Sequence, residues 1–408
     1  MTTNEVRAVI LAGARTPMTE WAGGKTGAGK PGGRLKDVSA NELGAVAARA
    51  ALERAEVKPE EIQHVIMGNA LQTSGDAIYG ARHVALKAGV PQDAPALTVN
   101  RLCGSGIQSI INASQLIQLG EADTVLAGGM ENLSQAPHVI RGLRSGLRMG
   151  QGELEDLLFV SLRDSFCGML MAQTAEKLAR EREVSRAEQD AFAYRSMSEA
   201  RRALDSGLFA EEIAPVTIKS RRGDVEVRDD DHLFAEPSLE VMSKLPPAFG
   251  RDGMVTAGNA SGIVDGAAAV VVTSREKARA EGRKPLAEVI DWAVVGVDPS
   301  IMGIGPVPAI RQAVSRAGLG LEDIDLFEIN EAFAAQYLAV EKELGLQRER
   351  VNVNGGAIAI GHPLGATGTR LVLTLALQMK RSGKKHGVAS ACIGGGQGIA
   401  IVLRNPNV

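Results

Sequence analysis

Two stretches of this chain, EEIQHVIMGNA at 60–70 and EDIDLFEINEA at 322–332, align without gaps and match Ile62 with Ile324, Val65 with Phe327 and Ala70 with Ala332. Each reads as a helix followed by a strand. Each leads on to a Val-Asn strand end and a glycine-rich turn, VNRLCGSG in one case and VNVNGGAIAIGHPLG in the other. A unit repeated in this way points to two copies of one α/β fold. The 408 residues also exceed what a single hydrophobic core usually supports.

Short β-rich runs alternate with helical patterns in the first copy. AVIL at 8–11, HVIM at 64–67, ALTV at 96–99 and TVLAG at 124–128 read as strands, with helices from about Asn41 to Arg54 and around 76–88. The middle is different. It is richer in charge and holds a long helix opened by the capping box Ser185-x-x-Glu188 and closed by Gly207. GAAAVVVTS at 266–274 then reads as a buried strand, and alternation resumes. The expected organisation is an α/β N-terminal half over 1–132 plus 258–283, an inserted helical and loop domain over 133–257, and a C-terminal half over 284–408.

Glycine is the outlier of the composition. It fills 47 positions, against a usual share of about 7%, and it is clustered, which suggests tight backbone approach. One cluster, GGKTGAGKPGG at 23–33, fits the G-x-x-x-x-G-K phosphate loop from Gly24 to Lys30. Pro31 stands where that loop needs Ser or Thr and an N–H, so a glycine-rich surface excursion carrying Lys25 and Lys30 competes with a nucleotide site. A net charge of −3 gives no electrostatic case for nucleic acid. No apolar window is long enough to span a membrane, and the start lacks the look of a signal or transit peptide. The expectation is a cytoplasmic chain. Cys103, Cys167 and Cys392 are far apart and form no C-x-x-C pair, so they read as free thiols without a disulfide framework or metal site.

Cys103 lies between a strand and a helix whose buried face carries Ile107, Ile110 and Ile111. A thiol at a helix N-terminus is expected to have a lowered pKa, which favours a nucleophile; a small buried apolar residue is the other reading. Among six histidines only His362 has a special setting, between Gly361 and Pro363, where it can act as a base or hydrogen-bond an oxyanion. His64, His83, His138, His232 and His386 suit packing or solvation. Cys392 ends an apolar strand before Gly394, Gly395 and Gly396, whose N–H groups can form an anion nest. Asn330 and Glu331 stand at a strand-to-helix junction, where a helix cap and first-turn acid suffice as an explanation. TAGNASG at 256–262 is a small-residue loop that lets backbone pass close to an extended ligand.

These segments together resemble a known family. VNRLCGSG around Cys103, NEAFA from Asn330, NVNGGAIAIGHPLGATG around His362 and CIGGGQG from Cys392 are similar, in type and order, to the signature segments of thiolases, over nearly the whole chain. LPPAFGRDGMVTAGNASG and GVDPSIMGIGPVPAI resemble the 3-ketoacyl-CoA thiolases of β-oxidation. The resemblance implies two similar βαβαβαββ halves in a five-layered αβαβα fold with an inserted loop domain. It implies thiolysis of 3-ketoacyl-CoA, or the reverse Claisen condensation of acetyl-CoA, through an acyl group on Cys103.

By the same resemblance His362 would activate Cys103, Asn330 would hold a water, Cys392 would move the proton of the acetyl-CoA methyl, and the N–H groups of Cys103 and Gly394 would hold the oxyanion. Ser261, Ala257, Phe249, Leu162, Met171 and Phe333 would contact coenzyme A, a co-substrate rather than a tightly bound cofactor. The partners implied are CoA and acyl-CoA, and a second copy in a homodimer or homotetramer, with the segment after Glu131 as a tetramer contact. Leu170 replaces a histidine of the biosynthetic acetoacetyl-CoA thiolases, and Phe234 an arginine near the adenine. A non-catalytic acyl-CoA-binding protein on the same fold is the alternative.

Overall fold

The computed structural model describes residues 8–23, 32–221, 223–233, 237–250 and 252–408. Most of the glycine- and lysine-rich stretch, with Lys25 and Lys30, lies outside them, as does Phe234.

Among the described residues, nine strands form one long mixed sheet: β1 (Ala8–Arg15), β2 (His64–Gly68), β3 (Ala96–Val99), β4 (Thr124–Glu131), β5 (Val264–Ser274), β6 (Ala287–Gly296), β7 (Leu326–Ile329), β8 (His386–Ile393) and β9 (Gln397–Arg404). Their order is β7-β8-β9-β6-β1-β5-β4-β2-β3, with a two-residue strand, Thr19–Glu20, added alongside β5. The order repeats itself. From the junction outward, β1-β5-β4-β2-β3 has antiparallel, antiparallel, parallel and parallel pairings. The other arm, β6-β9-β8-β7, runs antiparallel, antiparallel and parallel, and Val351 supplies the last parallel partner as a single bridge to Phe327. Among the described residues, the strands of the two arms pair at Val9 with Glu288 and Ile10 with Ala287. The aligned sequence stretches fall on β2 and β7.

Helices complete the layers: α1 (Ala40–Arg54), α2 (Gly80–Lys87), α3 (Ser105–Leu119), α4 (Met171–Glu181), α5 (Arg186–Asp205), α6 (Pro306–Arg316), α7 (Ala334–Leu344) and α8 (Leu364–Ser382). Because successive strand side chains face opposite ways, Val9, Val65, Leu126 and Val271 pack outward under α1 and α2. Ile10, Ile66, Val125 and Val270 face inward onto α3 and α8, which also cover Ala389, Ile399 and Ile401 of the other arm. α6 lies on the far side of that arm, with α7 packed against it. This is a five-layered αβαβα arrangement with α3 and α8 in the middle.

Residues between β4 and β5 carry α4, α5 and two small hairpins. Ser185 caps α5 with Glu188 closing the box, and Gly207 follows the helix at φ 74°. A buried charge cluster locks this segment onto β1. Arg15, fully buried, donates to Glu212 at 2.9 Å and to both oxygens of Asp230 at 2.7 and 2.8 Å. Arg54 adds bonds to the carbonyls of Glu212 and Ile213, both at 2.8 Å. Removing one partner of such a cluster leaves buried charge uncompensated. Arg15→Met is expected to cost about 3–5 kcal/mol of stability, read as a lower urea midpoint.

Candidate active site

The site forms where α3 and α8 begin. Both helices start two residues after a chemically distinctive side chain: α3 after Cys103, α8 after His362. Their first turns cross backbone against backbone. A Cβ on Gly106 would lie 2.3 Å from the Thr369 nitrogen, and one on Gly368 would lie 2.4 Å from the Ile107 nitrogen. Glycine richness here is a packing requirement.

Cys103 sits in a tight turn, Leu102–Gly104, ahead of α3. Leu102 adopts a left-handed φ of 46°, a strained state for a branched side chain. Three bonds hold it: Leu102 N–H to Asn100 Oδ1 at 2.9 Å, Arg101 N–H to Ser105 Oγ at 2.8 Å, and Ser105 Oγ–H to the Leu102 carbonyl at 2.7 Å. Arg101 then reaches Gln397 of the other arm at 2.7 Å. The N–H groups of Gly394 and of Cys103 itself face the thiol.

The lowered thiol pKa expected from the helix start is not found. Burial pushes Cys103 up to about 11, against the opposing pull of those two N–H groups, although the residue keeps a partly open face toward the cavity. Burial likewise raises the Cys392 thiol, and Cys103 beside it adds to the rise. His362 is driven the other way, down to about 3, by burial first and by the cation of Arg370 second. The resting pair is therefore neutral thiol and neutral imidazole. Alkylation of Cys103 by iodoacetamide, followed at its own peptide, is expected to accelerate roughly tenfold per pH unit from pH 7 to 10. A plateau below pH 9 would instead reveal a thiolate ion pair.

Hydrogen bonds define the imidazole tautomer. Thr367 Oγ–H donates to the Pro363 carbonyl at 3.0 Å, so its oxygen accepts from His362 Nδ1 at 2.6 Å. Nε2 is left bare, and the Asn330 amide donates to it at 3.3 Å. Asn330 Oδ1 is buried with no partner among the described residues, poised for a polar ligand or a water. Neither Asn330 nor Glu331 caps a helix: α7 starts later, at Ala334 after Phe333, because Asn330 is taken by His362 and Glu331 by Ser196, Asn352 and the Ile358 N–H.

Glu131, at the end of β4, ties the segment after β2 to the start of α8. Fully buried, it accepts from Asn69 Nδ2, from the N–H groups of Ala70 and Leu71, and from Gly365 N–H at 2.8 Å in the first turn of α8. Burial outweighs these donors and raises its pKa to about 7. The TAGNASG loop braces the other side: Ser261 N–H bonds the Ala332 carbonyl, and His362 N–H bonds Gly262.

A cavity of about 260 Å³ opens on this centre and is overwhelmingly apolar. Cys103, His362 and Cys392 line it, and so do Ser261, Ala257, Phe249, Leu162, Met171 and Phe333. Asn330 reaches it through His362, and Gly394 through the Cys103 sulfur. The motifs did not mark Thr367, Glu131, Leu133, Leu158 or Met302. Thr367 lies within the His362 motif and was recoverable there; Glu131 carried no signal, since its donors come from distant segments.

Comparison with known proteins identifies the family. The family models "Thiolase, N-terminal domain" and "Thiolase, C-terminal domain" match residues 9–276 and 283–405. The human mitochondrial 3-ketoacyl-CoA thiolase is 51% identical over 397 residues, covering 97% of this chain and 98% of that protein. An acetyl-CoA acetyltransferase of Cupriavidus necator is 50% identical over 381 residues, 93% of this chain and 97% of its own length. The crystal structure of the human mitochondrial enzyme in complex with CoA superposes with a TM-score of 0.93 at 48% identity, over 98% of this chain and 99% of that one. The chain belongs to the thiolase family, and its fold is the thiolase fold.

Proposed function

We propose that this chain is a CoA-dependent acyltransferase that cleaves 3-ketoacyl-CoA to acetyl-CoA and a shortened acyl-CoA, and runs the reverse condensation. One observation carries the reading: two cysteines and a neutral histidine line one apolar cavity, with two backbone N–H groups aimed at the partly open thiol. The relatives named for this reaction support it.

The pKa pattern dictates how the steps run. A thiol near 11 does not ionise ahead of attack beside an imidazole near 3. The Cys103 proton passes to His362 Nε2 as the sulfur bonds to the 3-keto carbon. The oxyanion that forms is held by the N–H groups of Cys103 and Gly394. When the C2–C3 bond breaks, Cys392 gives its proton to the acetyl-CoA carbanion, stabilised by the imidazolium and by a water on Asn330. In the second half, CoA thiol passes its proton to the Cys392 thiolate and attacks the acyl-cysteine. Cys103 leaves as thiolate and recovers the proton held on His362, which closes the cycle.

A CoA-dependent loss of acetoacetyl-CoA or a longer 3-ketoacyl-CoA tests this. Binding of these thioesters without any such loss would make the chain an acyl-CoA-binding protein. We propose a cytoplasmic location and a homodimer or homotetramer. β3 supports a dimer, since it is an open sheet edge with Leu97 exposed and Ile78 and Tyr79 exposed beside it. Exposed Ile140, Leu143 and Met149, beyond Glu131, suit a second contact. Light scattering on the purified protein gives the subunit count.

A further inference from the structure

His362 is clamped between two elements. Thr367, in the first turn of α8, accepts from its Nδ1, and Asn330, just beyond β7, donates to its Nε2. One step along each element stands a second pair. Arg370 follows Thr367 by three residues on α8, the spacing that puts two side chains on one face of a helix. Glu328 precedes Asn330 by two, and Asn330 N–H still bonds the Ser390 carbonyl at 2.9 Å, so the strand pattern continues and both side chains leave on one face. Leu326, on that same face, packs in the core cluster under α8. Arg370 Nη1 donates to Glu328 Oε2 at 3.2 Å. This pair therefore joins the same helix to the same strand as the histidine clamp does.

It is unlike a bridge built for stability. Arg370 and Glu328 are each 1% exposed, yet Arg370 Nε and Nη2 have no partner among the described residues. Arg15, also fully buried, has all three of its guanidinium nitrogens bonded to carboxylates. A buried cation short of acceptors costs free energy, and apolar side chains of similar volume in place of such a pair are often neutral or stabilising. A charge kept under these conditions points to a use for the charge itself.

The surroundings leave that charge unbalanced. Burial raises Glu328 to about 8 in spite of Arg370, and Glu212 and Glu331 add to the rise. Burial lowers Arg370; Glu328, Glu212 and Glu331 oppose this and Arg15 adds to it, and a guanidinium stays protonated at neutral pH. Its cation acts on the imidazole of His362. Neither Arg370 nor Glu328 lines the cavity.

We propose that Arg370 is a positioning residue for His362: anchored on Glu328, it fixes α8 against β7 beside the clamp and sets a positive charge there, so that the imidazole rests neutral and takes a proton only as the Cys103 sulfur attacks. This rests on the reading of His362 as the proton acceptor. An imidazole already protonated could not accept.

The test compares the parent with Arg370→Met, Arg370→Lys, Glu328→Gln and the double variant Arg370→Met/Glu328→Met, in which an apolar pair replaces both polar side chains and keeps the fold testable. The first readout is the pH dependence of kcat/KM for thiolysis of acetoacetyl-CoA, which falls below the His362 pKa of the free enzyme. Removing the cation raises that pKa, so the acid limb is expected to move up by about 1–3 pH units in both variants that lack Arg370. Arg370→Lys, charged at acid pH, is expected to keep the parental limb. Glu328→Gln should keep it too, because the carboxyl is already protonated there. KM is expected to stay near the parental value throughout. The second readout is the titration of the His362 resonance in protein labelled with carbon-13 at histidine Cε1, assigned by its loss in His362→Asn; it should move with the limb. Folded variants without Arg370 whose imidazole titrates as in the parent would overturn the proposal. Absence of thiolysis in the parent would overturn the function proposed above, while the imidazole titration still decides this inference.

Discussion

Cys103→Ala is expected to lower CoA-dependent thiolysis by a factor on the order of 10⁵, the scale seen when a covalent nucleophile is removed from a set of groups acting as a unit. The loss follows from how the neutral pair works. Without the Cys103 sulfur the 3-keto carbon loses its nucleophile, and the Cys103 and Gly394 N–H groups face a methyl. The substitution removes one atom at a partly open position, so the melting temperature should change little. Cys392→Ala separates the two thiols. Incubation with an acyl-CoA should still acylate Cys103, visible as a mass increase on its peptide, while condensation of acetyl-CoA stops. Full activity in Cys103→Ala would overturn the mechanism, and loss of acylation in Cys392→Ala would merge two roles that are separated here.

The second large effect is on folding. A Cβ on Gly129 of β4 would lie 1.8 Å from the Gly365 carbonyl oxygen and 2.6 Å from its carbon. Both are backbone atoms of α8, so no side-chain rotation relieves the overlap. Gly365 is also the residue whose N–H Glu131 accepts, so moving α8 breaks a buried charge-assisted bond as well. Gly129→Ala is expected to cost more than about 4 kcal/mol and to yield little soluble protein. Gly75→Ala is the control: its Cβ would meet nothing within 4 Å, and it should stay within about 0.5 kcal/mol of the parent. Equal stability of the two variants would mean that the crossing of β4 and α8 is looser than described.

Much of the architecture was legible because it is local. The paired stretches fall on β2 and β7, with Ile62 and Ile324 both buried and Val65 and Phe327 likewise. ALTV is β3 residue for residue, and the Ser185 box opens α5 where expected. What sequence periodicity could not carry is anything set by distant segments. The dipole of a helix start is visible in VNRLCGSG, but the burial that lifts the Cys103 thiol comes from other parts of the chain, and it dominates. Asn330 looked like a cap because its neighbours did; its actual partner is the imidazole more than thirty positions on. Arg15 ends β1 just before Pro17, yet it is the fully buried centre of a charge cluster whose acids lie some two hundred residues away. Glu131 lies beyond the 124–128 run read as a strand, and only the fold shows it ending β4 and bonded to Gly365.

The matched positions of Cys103 and His362, each two residues ahead of its helix, bear on the history of the protein. A single-unit ancestor that paired with its own copy would have offered two identical side chains at the crossing, either two thiols or two imidazoles. A proton donor facing its acceptor at that spot requires the copies to differ. Two copies that differ at this one position thus form a centre for moving a proton, where identical copies would form only a self-matched contact between helices.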